Sequence, residues 1–285
     1  MSIYEGPRLM ESTVALITGG TAGIGLACAN GLHQQGATVI LVARQQEGLD
    51  RCQQRFGERV HVIQADVGTA PGCRAISDRI NKEQLTVNLL INNAGLHHRG
   101  PFGKLTDDMI SSMVDVNLKA PMRLSHELLP MLTEQRGTIV NVASLAGCIP
   151  LAGSAAYSAT KFGLRAWSLA MADELKDTGV TVCCISPGPV KTHFILSHLE
   201  SVTDLTLSQP MVEPEAVARA ILEVLRTKKR DVCIPSSSGR LAKLGYLFPS
   251  IRRVLKPVME RRGRRARKAL EHDEYVQQPT GDEGP

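Results

Sequence analysis

The chain has 285 residues, of which 43% are hydrophobic and 21% charged, with a formal net charge of +5. That composition excludes disorder over most of the length, and no run of ~18 or more uninterrupted apolar residues is present to span a bilayer. The charge is unevenly placed: residues 1–239 are neutral with 22 bases and 22 acids, residues 240–270 carry +10, and residues 271–285 carry −5.

In chain order, Met1 to Glu11 is a polar arm without an apolar centre, so no secretory signal is expected. Short β-branched runs follow at Val14–Thr18, Thr38–Ala43, Val60–Ala65, Val87–Asn92, Thr138–Ala143, Val180–Ile185 and Asp231–Ile234. Helical periodicity fills the gaps, at roughly 24–35, 47–56, 71–83, 107–134, 154–177 and 214–227. The strands are short and continuously apolar, which suits a parallel sheet covered on both faces. Alternation of this kind predicts right-handed crossovers and a doubly wound α/β fold in one domain, residues 12–239. The seven cysteines (28, 52, 73, 148, 183, 184 and 233) form no CxxC pair and read as reduced thiols of a cytoplasmic protein, with no metal site.

The first strand runs into Thr18-Gly19-Gly20-Thr21-Ala22-Gly23-Ile24-Gly25, and helical periodicity begins at Ile24. Glycines at 19, 23 and 25 let the backbone turn sharply and approach a pyrophosphate, whose charge a helix N-terminus stabilises. At the end of the second strand, where an acid would accept from a ribose 2′-hydroxyl, the chain has Ala43 followed by Arg44. A guanidinium there pairs with a 2′-phosphate, so NADP(H) is expected over NAD(H). Asp66 and Val67, just past the third strand, fit an adenine contact, although an Asp there also suits a helix cap.

Tyr157 and Lys161 lie four residues apart and project from one helix face. A free phenol titrates near ~10, and a close ammonium would bring it nearer neutrality. Ser144, 13 residues upstream, ends the fifth strand at the sheet edge where ligands of open α/β sheets bind.

These residues, with Asn92-Asn93-Ala94-Gly95, Asn117 and Pro187-Gly188-Pro189-Val190-Lys191-Thr192, resemble the short-chain dehydrogenase/reductase family over roughly residues 12–235. The resemblance implies a Rossmann fold with a seven-stranded parallel sheet and a catalytic group of Asn117, Ser144, Tyr157 and Lys161. In that reading Tyr157 donates or accepts the proton, Ser144 orients the carbonyl, and Asn117 holds a relay water. Lys161 binds the nicotinamide ribose and lowers the tyrosine pKa. Cofactor contacts fall to Gly19, Thr21, Gly23, Ile24, Gly25, Arg44, Asp66, Val67, Asn93, Tyr157, Lys161, Pro187, Gly188, Val190 and Thr192. A homodimer or homotetramer through helices 107–134 and 154–177 is also implied.

By the same resemblance the substrate walls follow Gly95 (Leu96, His97, His98, Phe102), Ser144 (Leu145, Ile149, Pro150, Leu151, Ala152) and Thr192 (Phe194, Ile195, Leu196, Leu199, Leu205, Leu207). They are mostly apolar, and residues 193–212 contain no Lys or Arg, so an apolar ketone, aldehyde or alcohol is expected. His97 and His98 read as loop side chains, since Tyr157 fills the acid/base role.

Residues 240–270 depart from the family pattern: apolar positions from Leu241 to Met259 recur at helical spacing among bases, with Pro249 and Pro257 expected to break or kink the helix. A basic amphipathic stretch suits the surface of an anionic membrane. A hairpin over the substrate cleft or against a neighbouring subunit fits equally, whereas nucleic acid is disfavoured by the neutral body. Residues 271–285 read as a disordered acidic tail. The expected function is therefore NADP(H)-dependent hydride transfer, the alternative being a dinucleotide sensor or membrane-complex scaffold without turnover.

Overall fold

The computed structural model describes residues 10–271; residues 1–9 of the expected arm and 272–285 of the expected acidic tail lie outside the described residues. Seven parallel strands form one sheet in the order β3-β2-β1-β4-β5-β6-β7. They are β1 (Val14–Thr18), β2 (Thr38–Ala43), β3 (Val60–Gln64), β4 (Leu89–Asn92), β5 (Thr138–Val142), β6 (Thr181–Pro187) and β7 (Asp231–Ile234). Each matches an expected strand to within two residues at either end. The extension of β6 to Pro187 comes from its pairing with β7, where Pro187 stands opposite Ile234.

Alternate side chains along each strand enter different halves of the core. Ala15, Ile17, Val39 and Leu41 pack with α1 (Gly23–Gln34), α2 (Gln46–Phe56) and α9 (Pro214–Thr227). Leu16, Ile40, Val42 and Leu90 pack with α3 (Ala70–Lys82), α5 (Ala120–Glu134) and α6 (Ala155–Glu174) on the other face. Both faces of the strands are therefore covered, which is why their sequences are continuously apolar.

The predicted helix over 107–134 is one continuous helical run: α4 (Asp107–Val114), a π-helical turn (Asp115–Lys119) and then α5. The wide turn carries Asn117. Two short helices, α7 (His193–Leu196) and α8 (Asp204–Leu207), fold over the sheet edge after β6.

Beyond β7 the chain forms α10 (Ser236–Leu247) and α11 (Pro249–Glu271). Pro249 separates the two and opens α11, where its missing N–H costs nothing. Of the break or kink expected at Pro257 there is no break, for α11 runs through it. Its ring lies on the exposed side, where water can satisfy the carbonyl left without a partner. Among the described residues, no helix is long and apolar enough to cross a membrane. All seven cysteines are free.

Candidate active site

The strand order reverses between β1 and β4, and the loops leaving these two strands meet at the carboxyl edge of the sheet. Thr18 and Asn93 join them. The Thr18 hydroxyl accepts from the backbone N–H groups of Asn93 and Ala94, both at 3.0 Å. In return the Asn93 amide donates to the carbonyls of Thr18 (2.9 Å) and Gly19 (3.1 Å). Gly25 is needed for this turn to close, because a Cβ there would lie 2.1 Å from the Gly19 carbonyl oxygen.

Helix α1 begins with neither a side-chain cap at Ala22 nor an acid in its first turn. Its leading N–H groups are thus left to an anion, the arrangement a pyrophosphate requires. Gly19, Thr21, Gly23, Ile24 and Asn93 border a cavity of about 830 Å³ that continues past Ser144, Tyr157 and Lys161 to Pro187, Gly188, Val190 and Thr192. Of the other expected cofactor contacts, Arg44 and Asp66 are exposed beside β2 and β3 and do not line this cavity. The Asp66 carboxylate accepts from Gly68 N–H at 2.9 Å and closes a turn, while Thr69 caps α3. Val67 is buried in the core beneath.

Ser144 caps the short turn Leu145–Gly147, its hydroxyl accepting from Ala146 N–H at 3.1 Å. That turn presses against α6 at Gly147, where a Cβ would sit 2.5 Å from the Lys161 carbonyl oxygen. The approach brings the Ser144 hydroxyl beside the Tyr157 phenol, close enough to lower its pKa. Lys161 extends one helical turn on from Tyr157, its Nζ donating to the Val142 carbonyl at 2.9 Å and lying 5.8 Å from the phenol ring centroid.

The electrostatics differ from the sequence expectation. Burial raises the Tyr157 pKa, and the lowering influences are the nearby Ser144 hydroxyl and the Arg99 charge; the expected lowering by Lys161 is absent from them. Lys161 is itself pushed down to about 8 by burial. Because its folded pKa is depressed, the unfolded chain binds more protons between about 8 and 10.5, and stability rises with pH across that window. Lys161→Met is therefore expected to stabilise the protein at pH 7 by about 1–3 kcal/mol. The advantage should shrink at higher pH. Thermal melts at two pH values test this, and an equal or lower melting temperature for the variant at pH 7 contradicts it.

Asn117 is fully buried beneath the cavity rather than on its wall. Its amide brackets Leu96, accepting from the backbone N–H and donating to the carbonyl, each at 2.8 Å, and also donates to Thr160 at 3.2 Å. Both amide hydrogens are thus engaged, and the side chain fixes the loop after β4 against α6.

His97 is more than the loop side chain expected. It stacks on Tyr157 with ring centroids 3.9 Å apart and planes 13° from parallel, and pairs with the Ser154 hydroxyl at 3.1 Å. Burial, with the Arg99, Lys161 and His98 charges, pushes its pKa down to about 3, so the ring is a neutral plate at neutral pH. Arg99 was not singled out by the sequence. Its guanidinium donates to the Phe194 carbonyl at 3.1 Å and lies 5.2 Å from the Phe194 ring centroid, tying α7 to the loop after β4. A buried polar chain also escaped notice: Asn92 donates to Asn141 at 2.8 Å, and Asn141 to Ser168 at 2.9 Å, locking α6 onto the sheet. Its signal was an Asn interrupting the apolar run of β5.

The three expected wall segments converge, with His97, Leu145, Ile149, Leu151, Phe194 and Leu205 on the cavity surface. A fourth wall comes from α10 and α11, through Leu241, Ala242, Gly245, Ile251, Leu255 and Met259. Of the placements left open for residues 240–270, the structure shows the hairpin over the cleft. Arg99, Arg252 and Lys256 also line it, so the cavity carries positive charge that residues 193–212 alone did not indicate.

Residues 13–200 match the short chain dehydrogenase family. The ketoacyl reductase HetN of Nostoc sp. is 34% identical over 233 residues, covering 79% of each chain. The 3-oxoacyl-[acyl-carrier-protein] reductase FabG of Vibrio harveyi is 30% identical over 75% of this chain and 89% of its own. Among solved structures, a short-chain dehydrogenase from Streptomyces avermitilis superposes with a TM-score of 0.74 at 29% identity, covering 86% of this chain and 96% of that one. A 4-hydroxyisoleucine dehydrogenase complexed with NADH gives 0.69 at 26% identity, over 78% of this chain and 96% of that one. With the glycine turn, the parallel sheet and the Ser144-Tyr157-Lys161 cluster in place, the chain belongs to the short-chain dehydrogenase/reductase family of oxidoreductases.

Proposed function

We propose that the protein is an NADP(H)-dependent oxidoreductase that interconverts an apolar carbonyl compound and its alcohol, with Tyr157 as the acid/base group. The observation that carries this reading is the buried Tyr157, grouped with Ser144 and with Lys161 one helical turn on, on the wall of a cavity that runs from the glycine turn. Carbonyl reduction is the favoured direction.

The uncapped start of α1 and the residues around Gly19, Thr21 and Gly23 would hold the pyrophosphate. Lys161 would face the nicotinamide ribose, with Val190 and Thr192 toward the carboxamide. When bound, the dinucleotide supplies or accepts the hydride. Ser144 holds the substrate oxygen beside the Tyr157 hydroxyl, so a proton moves over one hydrogen bond as charge develops on that oxygen. Arg99 stabilises the phenolate left behind. His97 stacks on the phenol ring and, with its pKa pushed down to about 3, is too weak a base to compete for the proton. Apolar walls exclude water, and Arg99, Arg252 and Lys256 favour a substrate that carries an anionic group at one end.

Exposed Arg44, with Ala43 in place of an acid before it, is the basis for NADP(H) over NAD(H). A charged hydrogen bond to a 2′-phosphate is worth about 1.5–3 kcal/mol, so Arg44→Asp should weaken NADPH binding about 10- to 100-fold and improve NADH binding. Fluorescence titration of both nucleotides reads this directly. An unchanged preference removes the 2′-phosphate assignment, and no binding of either nucleotide removes the enzymatic reading.

A further inference from the structure

We propose that the outer face of the α10–α11 hairpin docks on an anionic lipid bilayer, with the mouth of the active-site cavity opening toward the acyl chains. Leu247, Phe248, Val254 and Val258 are 53–75% exposed and do not line the cavity. Beside them Phe194, Leu241, Ile251 and Leu255 do line the cavity and are still 37–39% exposed, so the cavity opens among apolar side chains.

This face cannot hide by rolling inward. The other side of α11 is held by Ala266 and Leu270, which pack with Leu199, Val202 and Leu207, and by Arg267, paired with Asp204 at 3.0 Å. Helix α10 is held in turn by Lys243 on Asp231 at 2.7 Å. The outward apolar side chains are therefore a fixed surface.

Charge identifies the occupant. Steps of three and four residues from Val258 carry the same face of α11 onto Arg261, Arg262 and Arg265, all exposed. Residues 240–270 as a whole contain eleven bases and one acid. A second copy meeting this patch through a two-fold axis would set like charge against like charge. A surface rich in anionic headgroups matches both the bases and the apolar side chains beside them. The hairpin lies in the interface and does not span it, since among the described residues no helix is apolar enough to cross. If the proposed carbonyl chemistry holds, the substrate is a lipid-like molecule that reaches Tyr157 from the bilayer without crossing water. That last step rests on the function proposed above, whereas the docking does not.

The test is flotation of the full chain with vesicles of phosphatidylcholine alone or of phosphatidylcholine with phosphatidylglycerol. Wild-type protein should float with the anionic vesicles at low salt and be released at high salt. Leu247→Asp with Val254→Asp should abolish flotation. Arg261→Gln and Arg262→Gln should each weaken it about fivefold, the value of one base near an anionic surface. All four side chains are exposed, and circular dichroism checks that the variants fold. Each variant should also retain NADPH-dependent turnover of a short, water-soluble ketone. Failure of that turnover in wild-type protein counts against the proposed enzyme reaction, while flotation still reports on docking. Wild-type protein that stays at the bottom of the gradient, binds neutral vesicles equally well, or floats regardless of the substitutions overturns the proposal. So does a concentration-dependent dimer that the aspartate variants abolish.

Discussion

Tyr157→Phe is expected to lower kcat for carbonyl reduction by about 10²- to 10⁴-fold, the usual contribution of a positioned proton donor. The substitution removes one hydroxyl and keeps the ring that stacks on His97, so the cavity wall is preserved. Dinucleotide affinity should be unchanged, because the glycine turn and the start of α1 lie outside the stack. The wild-type phenol is held above its ordinary pKa by burial, so it remains protonated through the neutral range and is poised to donate. Single-turnover kinetics with saturating NADPH isolates the chemical step. A variant within a fewfold of wild type would assign the proton to another group. At neutral pH the stacked His97 is a poor candidate for that group, since burial pushes its pKa down to about 3.

Gly25→Ala should weaken dinucleotide binding about 100-fold or more and cost about 1–3 kcal/mol of stability. Its methyl group would stand 2.1 Å from the Gly19 carbonyl oxygen and 2.7 Å from the Asn93 amide nitrogen. To restore contact distance the turn must open by about 1 Å, a displacement large enough to cost two orders of magnitude where groups are held for reaction. The movement also strains the Asn93 hydrogen bonds that join the β1 and β4 loops. Gly103→Ala is the matched control, because a Cβ there meets nothing within 4 Å. Titration with NADPH and a thermal melt of both variants decide the matter. Normal binding by Gly25→Ala would mean the turn has slack that its geometry does not show.

The strands and helices of the α/β body were legible because their signals are local. A run such as Val39–Ala43 is apolar at every position, and one with both faces buried has little other place to go. Tyr157 and Lys161 were legible for the same reason: a spacing of four on a helix places two side chains together without help from the rest of the chain. Whether Pro257 would end α11 could not be read locally, because only the packed structure shows that its side of the helix faces water.

What the local signals could not reveal is how distant segments act on one another. Arg99 and Phe194 are 95 residues apart, and neither looks functional until the folded chain places the guanidinium against α7. The lowered His97 and Lys161 pKa values and the raised Tyr157 value all arise first from burial, which no sequence window contains. For the same reason the basic hairpin could be recognised as amphipathic but not placed. Periodicity determines that a helix has two faces. Which face meets the cavity and which meets solvent was decided by the contacts of Arg267 and Lys243 with acids about 63 and 12 residues away.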